Sequence, residues 1–132
     1  MIRENTHDQT VVNEIWKENI YPLENISFNP EDIVIDIGGH AGLFALYASQ
    51  FCQTIYSFEA LPDNFKLFQK NIALNHVESK IKVYPYAVFR PGQRQIKLYQ
   101  TYLNSGGHTA MAKIGRAVSV EALRLEEEFS RV

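Results

Sequence analysis

Cysteine is almost absent from this chain: Cys52 stands alone among 132 residues. That excludes an internal disulfide and any cysteine-rich metal centre. No apolar run approaches the length that crosses a bilayer. The opening residues Met1 to Asp8 are polar and lack the apolar core of a secretory signal. The expectation is a soluble domain in a reducing cytoplasm, with no membrane partner. There is no Gly-x-Ser-x-Gly elbow, no Cys pair and no phosphate-loop lysine, which sets aside three common chemistries. His40 and His108 have no third ligand at metal spacing, so no metal is expected. Charge of one sign is also lacking, with a formal net charge of −2. The two halves differ, however. Residues 1–66 carry ten acids and three bases, whereas 67–132 carry five acids and ten bases. The basic half reads as a solvated face; an acidic partner such as RNA is the lesser reading. No alternation of basic and aromatic residues marks a nucleic-acid module.

What is present is an apolar content of 45% against 21% charged residues, the balance of a folded domain. The length suits one domain but is short for a complete doubly wound enzyme. The most informative stretch is Asp32 to Phe44. It opens with Ile33-Val34-Ile35, a β-branched run of strand length, interrupted by Asp36. Three glycines then fall within five residues, Gly38, Gly39 and Gly42, followed by an apolar segment of helical character. Strand, Gly-rich turn and helix form the first half of a nucleotide-binding βαβ unit. The order Asp-x-Gly-Gly-x-x-Gly departs from the dinucleotide spacing. A carboxylate just ahead of the glycines would repel a pyrophosphate and suits a cationic or donor-rich ligand. S-adenosylmethionine, with its ammonium and sulfonium, is such a ligand. The plainer alternative is that Asp36 caps the turn and the glycines serve close packing.

In chain order, Asp8 to Asn19 reads as a helix with Thr10 or Asp8 as N-cap, either a lid over the cleft or a packing helix. Tyr21-Pro22 ends it, and residues 1–30 form an N-terminal helix and linker ahead of a domain spanning 31–132. Gly42 to Phe51 predicts the first main helix. Thr54 to Phe58 predicts a second strand ending on Glu59, 21 residues after Gly38. An acid at that offset accepts hydrogen bonds from ribose hydroxyls in βαβ nucleotide folds. A second helix is expected from Pro62 to Asn75, capped by Asp63. Lys80 to Pro85 predicts a third strand, 90–93 a turn, and Gln95 to Tyr99 a fourth extended segment. Residues 103–110 read as a polar Gly-rich loop, 117–120 as a short strand and 121–129 as a helix.

Two blocks, Val34-Ile35-Asp36-Ile37-Gly38-Gly39-His40-Ala41-Gly42 and Tyr56-Ser57-Phe58-Glu59-Ala60-Leu61-Pro62, together resemble the FkbM-type family of S-adenosylmethionine-dependent methyltransferases. Gly39 and His40 replace an Ala-Asn pair of that family, and Ala60 replaces a proline. Tyr84 to Val88, the Gly92 turn, Ser105 to Thr109 and Val118 to Leu123 are similar to its later segments, more loosely. The resemblance implies an α/β, Rossmann-like class I methyltransferase fold. It is incomplete here, with the first three strands plus a β-hairpin extension. It implies S-adenosyl-L-methionine as cofactor. Asp36, Gly38, Gly39, His40 and Gly42 would hold its amino-acid portion, Glu59 its ribose, and Ala87 would border its adenine. The acceptor would be a hydroxyl on a small molecule or sugar, and His108 is a base candidate by chemistry alone.

The family continues with a Lys-Ile-Asp-x-Glu-Gly strand that does not occur in this sequence. In the family's sheet order the first strand would then be an edge. The expectation is a fragment of a longer enzyme, inert alone, or a half-sheet completed by homo-oligomerisation. Two other classes remain open: a non-enzymatic half-Rossmann association module, and an NAD-dependent dehydrogenase fragment, against which Asp36 and the glycine spacing count.

Overall fold

The computed structural model describes residues 1–89, 92–101, 104–109 and 116–126. Helix α1 (Asp8–Trp16) leads into a short 3-10 turn, Leu23–Asn25. Then come β1 (Ile33–Ile37), α2 (Leu43–Ala48), β2 (Thr54–Phe58), α3 (Pro62–Leu74) and β3 (Ile81–Tyr84). Four further strands follow: β4 (Ala87–Val88), β5 (Gln95–Thr101), β6 (Asn104–Thr109) and β7 (Arg116–Leu123). Among the described residues, no helix is long and apolar enough to cross a membrane.

The strands form two sheets, a parallel one in the order β1-β2-β3 and a second in the order β4-β7-β5-β6. In the first, Ile35 pairs with Tyr56 and Tyr56 with Lys82, so β2 is central. This is the three-strand, partial Rossmann-like arrangement expected. The helices α2 and α3 bury Ala45, Ala48, Phe68 and Ile72 against Ile55 and Ile81, with Val34 and Val83 alongside. Helix α1 packs Ile15 on Leu43, Tyr47 and Leu67 in an adjoining cluster. The second sheet has its own small core of Leu61, Ile96, Val120 and Ala122.

Several expectations are corrected. Helix α1 ends at Trp16, short of Asn19, and neither Asp8 nor Thr10 caps it; His7 is the N-cap, and its side chain makes no capping hydrogen bond. Helix α2 spans only Leu43–Ala48: Gly42 at its N-cap takes φ +82°, a left-handed conformation that keeps it outside the helix, and the helix stops at Ala48, short of Phe51. The N-cap of α3 is Leu61, not Asp63, which falls in the first turn; Pro62 supplies a fixed φ at the first helical position. The Gly-rich segment 104–109 is not a loop but β6, whose partner β5 pairs Tyr99 with Thr109 and Thr101 with Asn104. Glu121, Ala122 and Leu123 are strand, not helix, because β7 continues against β5 and β4. Leu125 and Glu126 are helical, as expected; 127–129 of that expected helix lie outside the described residues, as do Arg90 and Pro91 of the expected turn.

Candidate functional site

The C-terminal ends of β1 and β2 deliver Asp36 and Glu59 to the same side of the sheet. Asp36 is buried and accepts a hydrogen bond from Ser57 Oγ at 3.0 Å. Burial pushes its carboxyl up to about 6, although the Ser57 hydrogen bond pulls the other way. Glu59 is also buried. Its Oε2 accepts the His40 N–H and its Oε1 the Leu61 N–H, each at 2.7 Å. Burial raises the Glu59 carboxyl above its ordinary range; Leu61, His40 and Asn64 draw it down, and the Asp36 charge adds to the rise.

The loop between β1 and α2 is bonded inward. Gly38 and Gly39 both donate their N–H groups to the Phe58 carbonyl, at 2.8 and 3.0 Å, and Gly42 donates to Gly39 at 2.7 Å. With the His40 N–H on Glu59, the donors that sequence reasoning assigned to a ligand are spent within the protein. A phosphate finds little to bind there, whereas a cation finds the Asp36 carboxylate. The glycines divide by task. A Cβ on Gly42 would lie 2.1 Å from the Phe68 ring, and one on Gly39 would lie 2.6 Å from it. Both exist so that Phe68 can pack beneath the loop. Gly38, at φ +83°, would meet nothing within 4 Å and faces open space.

Two adjoining clefts flank this loop. One, of about 440 Å³, lies between α1 and β1 and includes Glu14, Tyr21, Asp36, Gly38, Gly39 and His40. The other, of about 190 Å³, includes Gly38, His40, Glu59, Asn64, Tyr86 and Ala87. Gly38 and His40 border both, so one elongated ligand can lie across them with its ends in different chemistry. The structure therefore brings together Asp36, Gly38, Gly39, His40, Glu59 and Ala87. Gly42 borders neither cleft and serves the packing of Phe68. The side chain of His108 lies outside the described residues.

Sequence reasoning missed a cluster behind the loop. His40 occupies a left-handed conformation at φ +52°, uncommon for a residue with a side chain. Its Nε2 lies 2.7 Å from Arg3 Nη2 and 3.6 Å from Asp8 Oδ1. Asp8 is completely buried and bonded to Arg3 through both carboxylate oxygens. Burial alone would raise the Asp8 carboxyl, but the hydrogen bonds and charge of Arg3 outweigh it and hold it below its usual range. No spacing rule links positions 3, 8, 40 and 64, so nothing in the sequence pointed to this cluster. Among the described residues, no group of three metal-ligating side chains comes together.

Comparison with known proteins agrees with this geometry at the level of class. The model of the TRM5/TYW2 methyltransferase domain matches residues 23–94, more than half of the chain. The chain belongs to this family of methyltransferase domains. Methyltransferase sdnD of Sordaria araneosa is 29% identical over 135 residues, covering 86% of this chain and 51% of that protein. The tRNA (guanine(37)-N(1))-methyltransferase of Candida albicans is 29% identical over 104 residues, covering 79% of this chain and 23% of the relative. The chain thus spans about half, or less, of the length of these relatives. The solved structure of YcgJ from Bacillus subtilis aligns over 48% of this chain and 27% of its own, at 22% identity and a TM-score of 0.42. The match supports the S-adenosylmethionine-dependent methyltransferase class and not the FkbM type specifically, whose resemblance rests on the two motifs at Asp36 and Glu59. Family membership replaces the dehydrogenase reading.

Proposed function

We propose that this chain is the cofactor-binding half of an S-adenosylmethionine-dependent methyltransferase. The observation that carries the reading is the buried Asp36 carboxylate beneath a loop whose N–H groups already have partners. That donor-poor, acid-bearing site fits the ammonium end of the cofactor and disfavours the pyrophosphate of a dinucleotide. Asp36 and the open face of Gly38 would hold the amino-acid portion, Glu59 the ribose hydroxyls, and Ala87 the edge of the adenine. When bound, the cofactor supplies an electrophilic methyl group on its sulfonium. The chain's own residues orient that cofactor and shield one side of it from water. Ala60, Leu61 and Val88 make the apolar wall of the smaller cleft.

For the acceptor, the FkbM-like motifs support a hydroxyl on a small molecule or sugar. The tRNA methyltransferase relatives support a guanine ring nitrogen instead, and the basic excess of residues 67–132 is compatible with that acceptor. Calorimetric titration with S-adenosylhomocysteine, with NAD as control, tests the cofactor reading. Binding of the first alone, lost in Asp36→Ala and in Glu59→Ala, is expected. Binding of NAD alone would falsify it.

A second reading has its own observation. Among the described residues β1 pairs with β2 alone, and Ile33, Ile35 and Ile37 are 52%, 44% and 55% exposed. An apolar strand edge of this kind suits association with a second copy of the chain. Equilibrium sedimentation across a hundredfold concentration range tests it.

A further inference from the structure

We propose that Arg3 is a positioning residue that sets Glu59 and the glycine loop for the ribose of the ligand, acting through His40 and Asn64. The inference rests on the cofactor reading given above. Arg3 is the hub where three elements meet. Its Nε and Nη2 hold both oxygens of Asp8 on α1, at 3.1 and 3.0 Å. Its Nη1 donates to Asn64 Oδ1 on α3 at 2.7 Å, and its Nη2 meets His40 Nε2 in the loop at 2.7 Å.

A guanidinium has five donors and no acceptor, so it dictates the orientation of whatever it touches. A neutral His40 that accepts from Arg3 does so through Nε2, with the imidazole proton on Nδ1. Asn64 must present its carbonyl oxygen, which turns the amide Nδ2 away from Arg3 and toward Glu59. That Nδ2 is buried and, among the described residues, meets no acceptor within hydrogen-bonding geometry, although Asn64 draws the Glu59 carboxyl down. A buried donor whose nearest acceptor, the Glu59 carboxylate, is not at full hydrogen-bonding geometry is costly and is retained where it has a task. Asn64 borders the smaller cleft beside Glu59. Its Nδ2 is therefore placed to donate to Glu59 once that carboxylate shifts to accept a hydroxyl, or to a ligand oxygen beside it. His40 is held from both sides. Its ring is fixed by Arg3 and its N–H by Glu59 Oε2, which pins one carboxylate oxygen while the loop stays at φ +52°. Arg3 itself lines neither cleft and reaches the ligand only through His40 and Asn64, which do.

The experiment compares wild type, Arg3→Ala and Arg3→Lys in the 132-residue chain. Arg3→Lys keeps a charge beside buried Asp8 and guards against a variant that fails to fold. Each is titrated with S-adenosylhomocysteine and with its 2′,3′-dideoxy analogue, which lacks the hydroxyls that Glu59 would bind. A 5- to 20-fold loss is expected for the natural ligand and less than twofold for the analogue, because the lost interaction is the ribose contact. Combining Arg3→Ala with His40→Ala should add less than the product of the single losses. Equal losses for both ligands mean general destabilisation and overturn the proposal, as does affinity within twofold of wild type. If wild type binds neither ligand, the cofactor reading fails by itself. Amide exchange across residues 38–42 then judges the clasp: faster exchange in Arg3→Lys with β2 unchanged upholds it, and unchanged exchange overturns it.

Discussion

The two sheets are built from different material. Every buried polar or charged side chain among the described residues (Asp8, Asp36, Ser49, Ser57, Glu59, Asn64 and Asn71) belongs to the first sheet, its helices or the N-terminal arm. Among the residues whose burial is described, the second sheet buries Ile96, Val120 and Ala122 and no polar side chain. Buried polar groups lower stability unless they are bonded, and their concentration on one side coincides with the candidate site. The second sheet contributes an apolar wall, through Ala87, Val88 and Leu98, to the smaller cleft.

The largest expected effect sharpens that contrast. Phe68 is fully buried and fills the space beneath the glycine loop. Phe68→Ala should cost about 3–5 kcal/mol in denaturant unfolding and remove S-adenosylhomocysteine binding. Ile96→Ala in the second sheet should cost about 2–3 kcal/mol and leave the binding affinity within a few-fold. Equal losses of affinity from the two substitutions would break the division of labour.

A pair of glycines makes the same comparison at smaller scale. Gly42 and Gly92 both have positive φ, +82° and +90°. A Cβ on Gly42 would strike Phe68, whereas one on Gly92 meets nothing within 4 Å. Gly92→Ala should therefore show the left-handed strain alone, about 1–2 kcal/mol. Gly42→Ala adds displacement of a packed ring and should cost about 2–4 kcal/mol. Thermal melts of the two variants check this, and equal shifts would show that the Phe68 packing does not depend on Gly42.

How much of this was legible differs between the sheets for the same physical reason. β2 was read from the sequence at its true limits, Thr54–Phe58, because the run of strand-forming residues and the turn residues around it agree. β1 and the start of α3 were legible too, since Pro62 and the glycines carry local instructions. In the second sheet the strands exist by pairing. Asn104 to Thr109 has the composition of a loop, yet becomes strand because β5 offers a ladder. Glu121 to Leu123 has helical composition, yet pairs with Gln95 and with β4. In the site, Asp36 and Glu59 were legible from spacing. Arg3, Asp8 and Asn64 were not, because their meeting point depends on how α1 and α3 pack around the loop.

Asp36 gives a prediction with a sign. Its folded carboxyl, at about 6, sits above the ordinary 3.8. The native state therefore holds a proton that the unfolded chain has released between about pH 4 and pH 6. Stability from this group is fully present below that window and declines as pH rises through it, levelling above about 6. Asp36→Asn removes the decline and should stabilise the unliganded chain on the order of 1–3 kcal/mol at pH 7.5. The same substitution should weaken S-adenosylhomocysteine, because the carboxylate facing its ammonium is gone. Wild-type affinity should rise with pH across the same window. A flat stability profile between pH 4 and 7 would show that Asp36 is better solvated than its burial implies.

The smallest effect on folding concerns the uncovered edge. Ile33 is exposed on β1, borders neither cleft, and sits on a strand with no Pro, Lys or bulge to discourage pairing. Two copies related by a two-fold axis would pair β1 antiparallel to itself, placing the isoleucines of each against the other. Ile33→Lys puts a charge in that contact while leaving the buried cluster on Val34 untouched. Stability should change by less than about 0.5 kcal/mol, and any concentration-dependent association of wild type should disappear. A wild-type chain that stays monomeric across the range overturns self-association and leaves the edge without a role in contact between copies. Association that survives Ile33→Lys places the contact elsewhere, on a surface that β1 does not supply.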